Sequence, residues 1–265
     1  MKTTKSLLGI LTITVAIAMH VHAQSWLTDG LVAYYPFSGN ANDASGNGNN
    51  GVVNDATLTA DRFGVANSAY HFYADVNSEI AVADSPSLNL GNQFSVSFWF
   101  KYDQPWTYHS ESLVYQFQSP QNIGWGFCVG QNDSINGAGM YDIQFDENSI
   151  QDEDIVPYSF LTSWNQVVGV YDGSTVKLYV NGALVSQQAD STVGHAPVNL
   201  VIGGNANPVS GAYNRDIDDV RIYDQTLSSD EVASLYQIEA VPEPSSALIF
   251  VFGLAGVAFL RRRQR

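Results

Sequence analysis

The sequence predicts an all-β chain: a two-sheet antiparallel β-sandwich of jelly-roll type, closed by one short C-terminal helix. Three observations carry this prediction. Apolar and polar residues alternate with period two through much of the chain. In Phe94-Ser95-Val96-Ser97-Phe98-Trp99-Phe100, for example, Phe94, Val96, Phe98 and Phe100 share one face. Turn-forming pairs such as Asn181-Gly182 and Asp172-Gly173 separate the runs. Helical spacing stands out in one short stretch of the body, after Ser228. Many short strands with turns between them fit a sandwich or jelly roll.

Taken in chain order, the first segment is an address. Lys2 and Lys5 precede an apolar run from Leu7 to Met19, and Val21-His22-Ala23 places small residues at −3 and −1. Residues 1–23 therefore read as a secretory signal peptide cleaved after Ala23, the run being shorter than the roughly 20 residues a bilayer span needs. The body, residues 24–238, holds strand candidates at 31–37, 69–73, 79–83, 94–100, 112–118, 123–130, 139–145, 165–171, 175–180, 198–202 and 217–223. Ser228-Ser229-Asp230-Glu231 has the form of a capping box, with Val232, Leu235 and Tyr236 following at helical spacing. Residues 239–244 read as a linker containing Pro242, Glu243 and Pro244, and residues 245–265 as a C-terminal sorting segment. That segment runs apolar from Ala247 to Leu260 and ends in Arg261, Arg262, Arg263 and Arg265, which the positive-inside rule keeps cytoplasmic.

Charge excludes one class of partner. Residues 24–244 hold five Lys and Arg against twenty-six Asp and Glu, a formal net charge of −21. Nucleic acid needs clustered cations, so it is not expected to bind, whereas divalent cations are plausible partners. One cysteine, Cys128, allows no intramolecular disulfide, so stability must come from the core.

Two resemblances narrow the reading. The tail, with its Pro-Glu-Pro, apolar run and arginine cluster in that order, resembles the PEP-CTERM signal of Gram-negative bacteria. That resemblance implies the secretion machinery, an exosortase-type processing enzyme, at least transient residence in the inner membrane, and a destination in the envelope or extracellular matrix. The body resembles the laminin G-like, concanavalin A-like lectin/glucanase superfamily. Gly30–Phe37 with Gly39–Asn49 is similar to its opening strand and loop. Trp164 to Gly173 and Val176 to Gly182 are similar to its central hairpins, and Ile217 to Ser228 with the following helix to its closing strand. The match departs at Phe72-Tyr73-Ala74-Asp75-Val76-Asn77, where the family more often has Phe-Asp-Gly. These likenesses specify the fold, not a ligand.

Candidate chemistry follows from the loops. Residues 38–51 offer Asn40, Asn42, Asp43, Asn47, Asn49 and Asn50 among glycines, a supply of oxygens that Ca²⁺ prefers and that a tight turn also uses. With Val220 and Ile222 facing the core, unbroken alternation puts the Asp218 carboxylate on their side. A structural Ca²⁺ held by Asp43, Asn49 and Asp218, or backbone N–H groups, would offset its burial. Asp146, Glu147, Asp152, Glu153 and Asp154 read as a solvated charge run. Exposed rings that could stack on sugar are Trp106, Tyr108, Trp125 and Tyr213, while Trp99 and Trp164 read as structural. Cys128 reads as a buried thiol. No Glu-x-Asp-x-x-Glu run, nucleophile elbow or zinc spacing occurs. Three functions are therefore open: a non-catalytic module binding extracellular polysaccharide, a purely structural surface protein, and a polysaccharide hydrolase.

Overall fold

In a computed structural model the described residues are 25–74, 78–103, 111–118, 123–130, 140–147, 150–189, 196–204 and 214–242. The strands within them are β1 (Leu31–Tyr35), β2 (Gly51–Asn54), β3 (Thr57–Thr59), β4 (Ala69–Phe72), β5 (Glu79–Val82), β6 (Phe94–Tyr102), β7 (Glu111–Gln118), β8 (Ile123–Gly130), β9 (Met140–Glu147), β10 (Ile150–Pro157), β11 (Asn165–Tyr171), β12 (Thr175–Val180), β13 (Ala183–Ala189), β14 (Leu200–Ile202) and β15 (Arg215–Tyr223). Two helices join them, a single turn α1 (Tyr158–Leu161) and α2 (Ser229–Glu239).

The strands form two antiparallel sheets. One has the order β13-β12-β11-β6-β15-β4-β3, with β1 also paired to β15. The other has the order β10-β9-β8-β7-β14-β5-β2. Phe94, Val96, Phe98 and Phe100 of β6 and Val167 and Tyr171 of β11 meet Trp125, Phe127 and Val129 of β8 and Ile143 and Phe145 of β9 in one core. The Phe127 and Phe145 rings stack at 4.5 Å. They fit because β11 presents Gly169 there: a Cβ would stand 2.5 Å from Phe127 Cζ. This is the sandwich that period-two alternation predicts, with side chains of both inner faces interdigitated.

A second apolar cluster lies on the outer face of the first sheet. Val168, Val170, Tyr179 and Tyr223 are covered there by Leu227, Val232 and Leu235, with Trp26, Leu27 and Leu31 packed against them. α2 starts where the capping box predicts: the Glu231 N–H donates to Ser228 Oγ, and the Ser228 N–H donates to Glu231 Oε2 at 2.7 Å. The helix and the turn Ser25–Leu27 thus roof part of this face, and among the described residues that apolar cover does not extend to β4.

The structure differs from the sequence expectation in several elements. β1 stops at Tyr35 rather than 37, because Phe37 takes a left-handed φ of 49°. β14 begins at Leu200. β2, β3, β10 and β13 carry no clean alternation; β13 is exposed at six of its seven positions, so neither face is marked by apolar residues. The acidic residues read as a solvated charge run lie on paired strands, β9 and β10, with Gln151 opposite Asp146 and Asp152 opposite Phe145.

Candidate functional site

Asp218 does not lie on the core side. Ile217 pairs with Phe100 and Asp218 with Trp99, but the register between β15 and β6 shifts between Asp218 and Arg221. The cause is a bulge at Asp219, whose φ is 48°. The extra residue resets the alternation, so Ile217, Val220 and Ile222 all enter the core while Asp218 turns outward. Sequence parity had placed Asp218 with Val220, and the bulge corrects it.

The cation beside Asp218 is Arg62. Its guanidinium contacts Asp218 Oδ2 at 2.7 Å and Asp219 Oδ2 at 2.8 Å, lies over the Trp99 and Phe63 rings, and donates from Nε to the Glu239 carbonyl. Glu239, the last residue of α2, is the hub of the same cluster. Its carboxylate accepts from Trp99 Nε1 (2.8 Å), Gln166 Nε2 (2.9 Å) and Arg221 Nε (2.7 Å). Arg221 lies over the Tyr34 ring, and the Tyr34 hydroxyl donates to Asp219 Oδ1. Burial and the neighbouring Asp219 push the Asp218 carboxyl up to about 9, against the pull of Arg62. Burial also raises Glu239, against Arg221 and its N–H donors. These groups border a cleft of about 310 Å³ whose rim includes Val65, Ile238, Val241 and Pro242. Residue 239, read from sequence as linker, is therefore a buried anchor.

Asp43 has a separate set of partners. Oδ1 accepts from the Tyr34 and Ser45 N–H groups, and Oδ2 from Ser45 Oγ and the Asn49 N–H. Burial alone would raise its carboxyl, but these donors outweigh burial and hold it below the usual range. Asn49 is buried and equally committed: its amide donates to the Val32 carbonyl and Ser87 Oγ, and its oxygen accepts from Ser85 Oγ and Ser87 Oγ. A Ca²⁺ shared by Asp43, Asn49 and Asp218 does not fit this arrangement. The oxygens of Asp43 and Asn49 carry protein donors that pin loop to strand, and a guanidinium already compensates Asp218.

The open part of the first sheet carries a row of polar and aromatic side chains that sequence reasoning missed. His71 on β4, Asp216 on β15 and Lys101 on β6 are cross-strand neighbours. His71 Nδ1 lies 2.6 Å from Asp216 Oδ1, and Lys101 Nζ lies 3.1 Å from Asp216 Oδ2. Tyr73 packs edge-on against His71 at 4.6 Å, and Lys101 lies over the Trp164 ring at 5.3 Å. Tyr73 and Asp103 are exposed, and His71, Lys101 and Trp164 half-buried. The row crosses three strands, on the order of 15 Å with its flanking rings. His71, Asp103 and Asp216 could group around a metal, their ligand atoms lying within 4.8 Å of one another, but Lys101 already supplies a cation to Asp216.

The hydrogen bond to Asp216 raises the His71 pKa, with burial opposing it and the Asp103 charge adding to it. A raised folded-state value means the pair contributes stability in full below the unfolded histidine range and loses it as pH climbs through the folded value. From pH 6 to pH 8 this pair should therefore contribute a loss of about 1 kcal/mol to the melts, discounted for solvent screening, or about 2–4 °C. His71→Gln is expected to remove that part of the pH dependence.

Of the residues predicted to stack on sugar, Trp125 is corrected to a core residue. It is 4 % exposed and packs against Phe94 and Phe127, because β8 turns Trp125, Phe127 and Val129 to the inner face together. Cys128 is buried on the same strand. Trp106, Tyr108 and Tyr213 lie outside the described residues, as do Glu243, Pro244, the signal peptide and the apolar tail. The strand ends that border Trp106, Tyr108 and Tyr213 in sequence are described. They meet beside the His71–Lys101 row, where the Asp103 N–H donates to the Asn214 carbonyl and the Ala74 N–H to Asn214 Oδ1.

Comparison with known proteins agrees with this architecture. Residues 74–233 match the profile of the concanavalin A-like lectin/glucanases superfamily, and residues 240–264 match the PEP-CTERM protein-sorting motif. A search of curated proteins finds no match. Solved structures similar to this chain include the binding domain of Paraclostridial Mosquitocidal Protein 1 (TM-score 0.64, 19% identity, 79% of this chain and 52% of that one). The botulinum neurotoxin serotype D binding domain is another (0.61, 20%, 80% and 51%), and so is the botulinum neurotoxin type G receptor binding domain (0.59, 15%, 80% and 52%). The chain thus spans about half the length of the structures it matches, and the likeness is one of fold. Among the described residues no helix is long and apolar enough to cross a membrane.

Proposed function

The chain belongs to the concanavalin A-like lectin/glucanases superfamily and carries a PEP-CTERM sorting motif, and on that premise we propose that it is an exported, non-catalytic module that binds carbohydrate outside the cell. The motif marks the chain for export and C-terminal sorting, which implies an exosortase-type enzyme acting while the tail lies in the inner membrane. The observation that carries the binding role is the Tyr73–His71–Asp216–Lys101–Trp164 row. Sugar recognition needs hydroxyl-bonding polar groups next to ring faces; three paired strands hold His71, Asp216 and Lys101, and Tyr73 and Trp164 flank them just beyond the ends of β4 and β11. The similar structures from the toxins are themselves binding domains.

Catalysis finds little support in the same geometry. Glycoside hydrolysis needs two carboxylates that reach the sugar. Asp216 is 3 % exposed and both its oxygens are engaged, by His71 and Lys101. That leaves Asp103 as the carboxylate of this row with access to solvent.

Glycan-array binding of the purified protein tests the reading. Trp164→Ala is expected to weaken binding to the bound glycan about three- to tenfold, the worth of one aromatic face, without lowering the melting temperature by more than a few degrees. Release of reducing sugar from the bound glycan, abolished by Asp103→Asn, would replace the proposal with a hydrolase. An array on which nothing binds would favour a purely structural protein.

A further inference from the structure

We infer that the glycan taken by the His71–Lys101 row is an uncharged one, an inference that rests on the binding role proposed above and specifies its substrate class. The reason is where the few positive charges go. Between residues 24 and 244 there are five Lys and Arg among twenty-six Asp and Glu. Each of the five is held within the domain. Arg62 is on Asp218 and Asp219, and Arg221 is on Glu239. Lys177 is on Asp172 at 2.6 Å. Arg215, 2 % exposed, donates to the carbonyls of Gly203 and Gly204.

Lys101 is the one cation in the row itself. Its ammonium contacts Asp216 at 3.1 Å and lies over Trp164, and exposed Asp103 groups with His71 and Asp216 in the same row. His71, when protonated, is matched by the same two carboxylates. The row is therefore close to neutral, set in a domain of formal charge −21. A uronate or sulfate polymer would have to displace Asp216 from Lys101 and approach against that field, and like-charge juxtaposition is strongly unfavourable. A neutral chain of hydroxyls meets neither penalty. It can donate to Asp103, accept from Lys101 and His71, and lay a ring face on Trp164 or Tyr73.

The test is affinity electrophoresis of the full-length protein in detergent, through native gels containing soluble polysaccharides. One set holds neutral polymers (mixed-linkage β-glucan, glucomannan, dextran) and the other uronate polymers (alginate, polygalacturonate), each run with chelator and with calcium. Expected is retardation by at least one neutral polymer that is insensitive to salt and weakened about three- to tenfold by Trp164→Ala, with no retardation by uronates. Lys101→Met leaves the carboxylates unmatched and should lower neutral-glycan affinity while creating no uronate binding. Uronate binding in chelator that fades with salt and is lost in Lys101→Met would overturn the inference and leave the binding role standing. Calcium-dependent uronate binding would overturn it equally. Retardation by no polymer of either set would remove the binding role and the inference with it.

Discussion

Replacing Glu239 with alanine is expected to cost the domain about 3–5 kcal/mol, the usual loss when one partner of a buried ion pair is removed. For a domain of this size that is on the order of 10 °C in melting temperature. The magnitude follows from what is left behind. The Arg221 guanidinium, the Trp99 indole N–H and the Gln166 amide all donate to this one carboxylate, in a site where Glu239 is 4 % exposed. Trp99 and Gln166 are buried, so their donors have no water as a ready substitute. Glu239→Gln keeps one acceptor oxygen and should lose less than half as much. The two variants also separate anchoring from packing. Tyr236, one turn earlier, stacks on Trp99 at 5.7 Å and remains in both. If α2 is held mainly by Leu235, Val232 and that stack, alanine at 239 will barely move the melt. If the carboxylate is the anchor, the chain from Ala240 onward should become sensitive to limited proteolysis, and the sorting motif beginning at Pro242 will no longer be presented from a fixed point.

The sequence made the sandwich legible because burial on one face writes a period of two. In β6 and β12 the alternating apolar residues mark the face turned to the second sheet, although the other face of β6 is buried too, while β11 is buried at all seven positions and shows no such period. The capping box at Ser228 fixed the start of α2. β13 was not readable because burial marks neither of its faces. The cluster around Asp218 was half legible. An acid at that position signals a compensating partner, but three things hid which one. A bulge at Asp219 reverses parity without any glycine to announce it. Arg62 sits in an irregular segment 156 residues away in sequence. Glu239 ends a helix whose length the capping box does not set. The His71–Asp216–Lys101 row was illegible for a related reason. The three residues become neighbours only once β15 is known to lie between β4 and β6, and strand order is not written in the alternation. Trp125 misled because rings beside glycines occur both in binding loops and in tightly packed strands; Gly126 is there because a Cβ would meet Tyr115 Cβ at 2.8 Å.

The cluster also predicts how the protein responds to pH and to chelators. Asp218, Asp219 and Glu239 face two guanidiniums, Arg62 and Arg221, so the buried group carries one carboxylate in excess. The low-cost solution is to keep a proton, and burial together with Asp219 places it on Asp218, at about 9. An acid with a raised folded-state value gives stability that is complete below its unfolded value and is lost as pH rises through the folded one. Wild-type protein is therefore expected to lose about 2–3 kcal/mol between pH 6 and pH 9, or about 5–10 °C. Asp218→Asn removes the excess charge, since its amide mimics the protonated acid. It should melt above the wild type at pH 9 and near it at pH 4. A Ca²⁺ ligand would behave in the opposite way: the amide would weaken the site and lower the melt at every pH where calcium is bound. Chelator supplies the independent check, because a guanidinium cannot be extracted. The melting temperature is expected to stay within about a degree on adding chelator, on the scale of a few degrees per kcal/mol. A fall restored by calcium and absent in Asp218→Asn would return the cation to this site and displace Arg62 as the group that compensates Asp218.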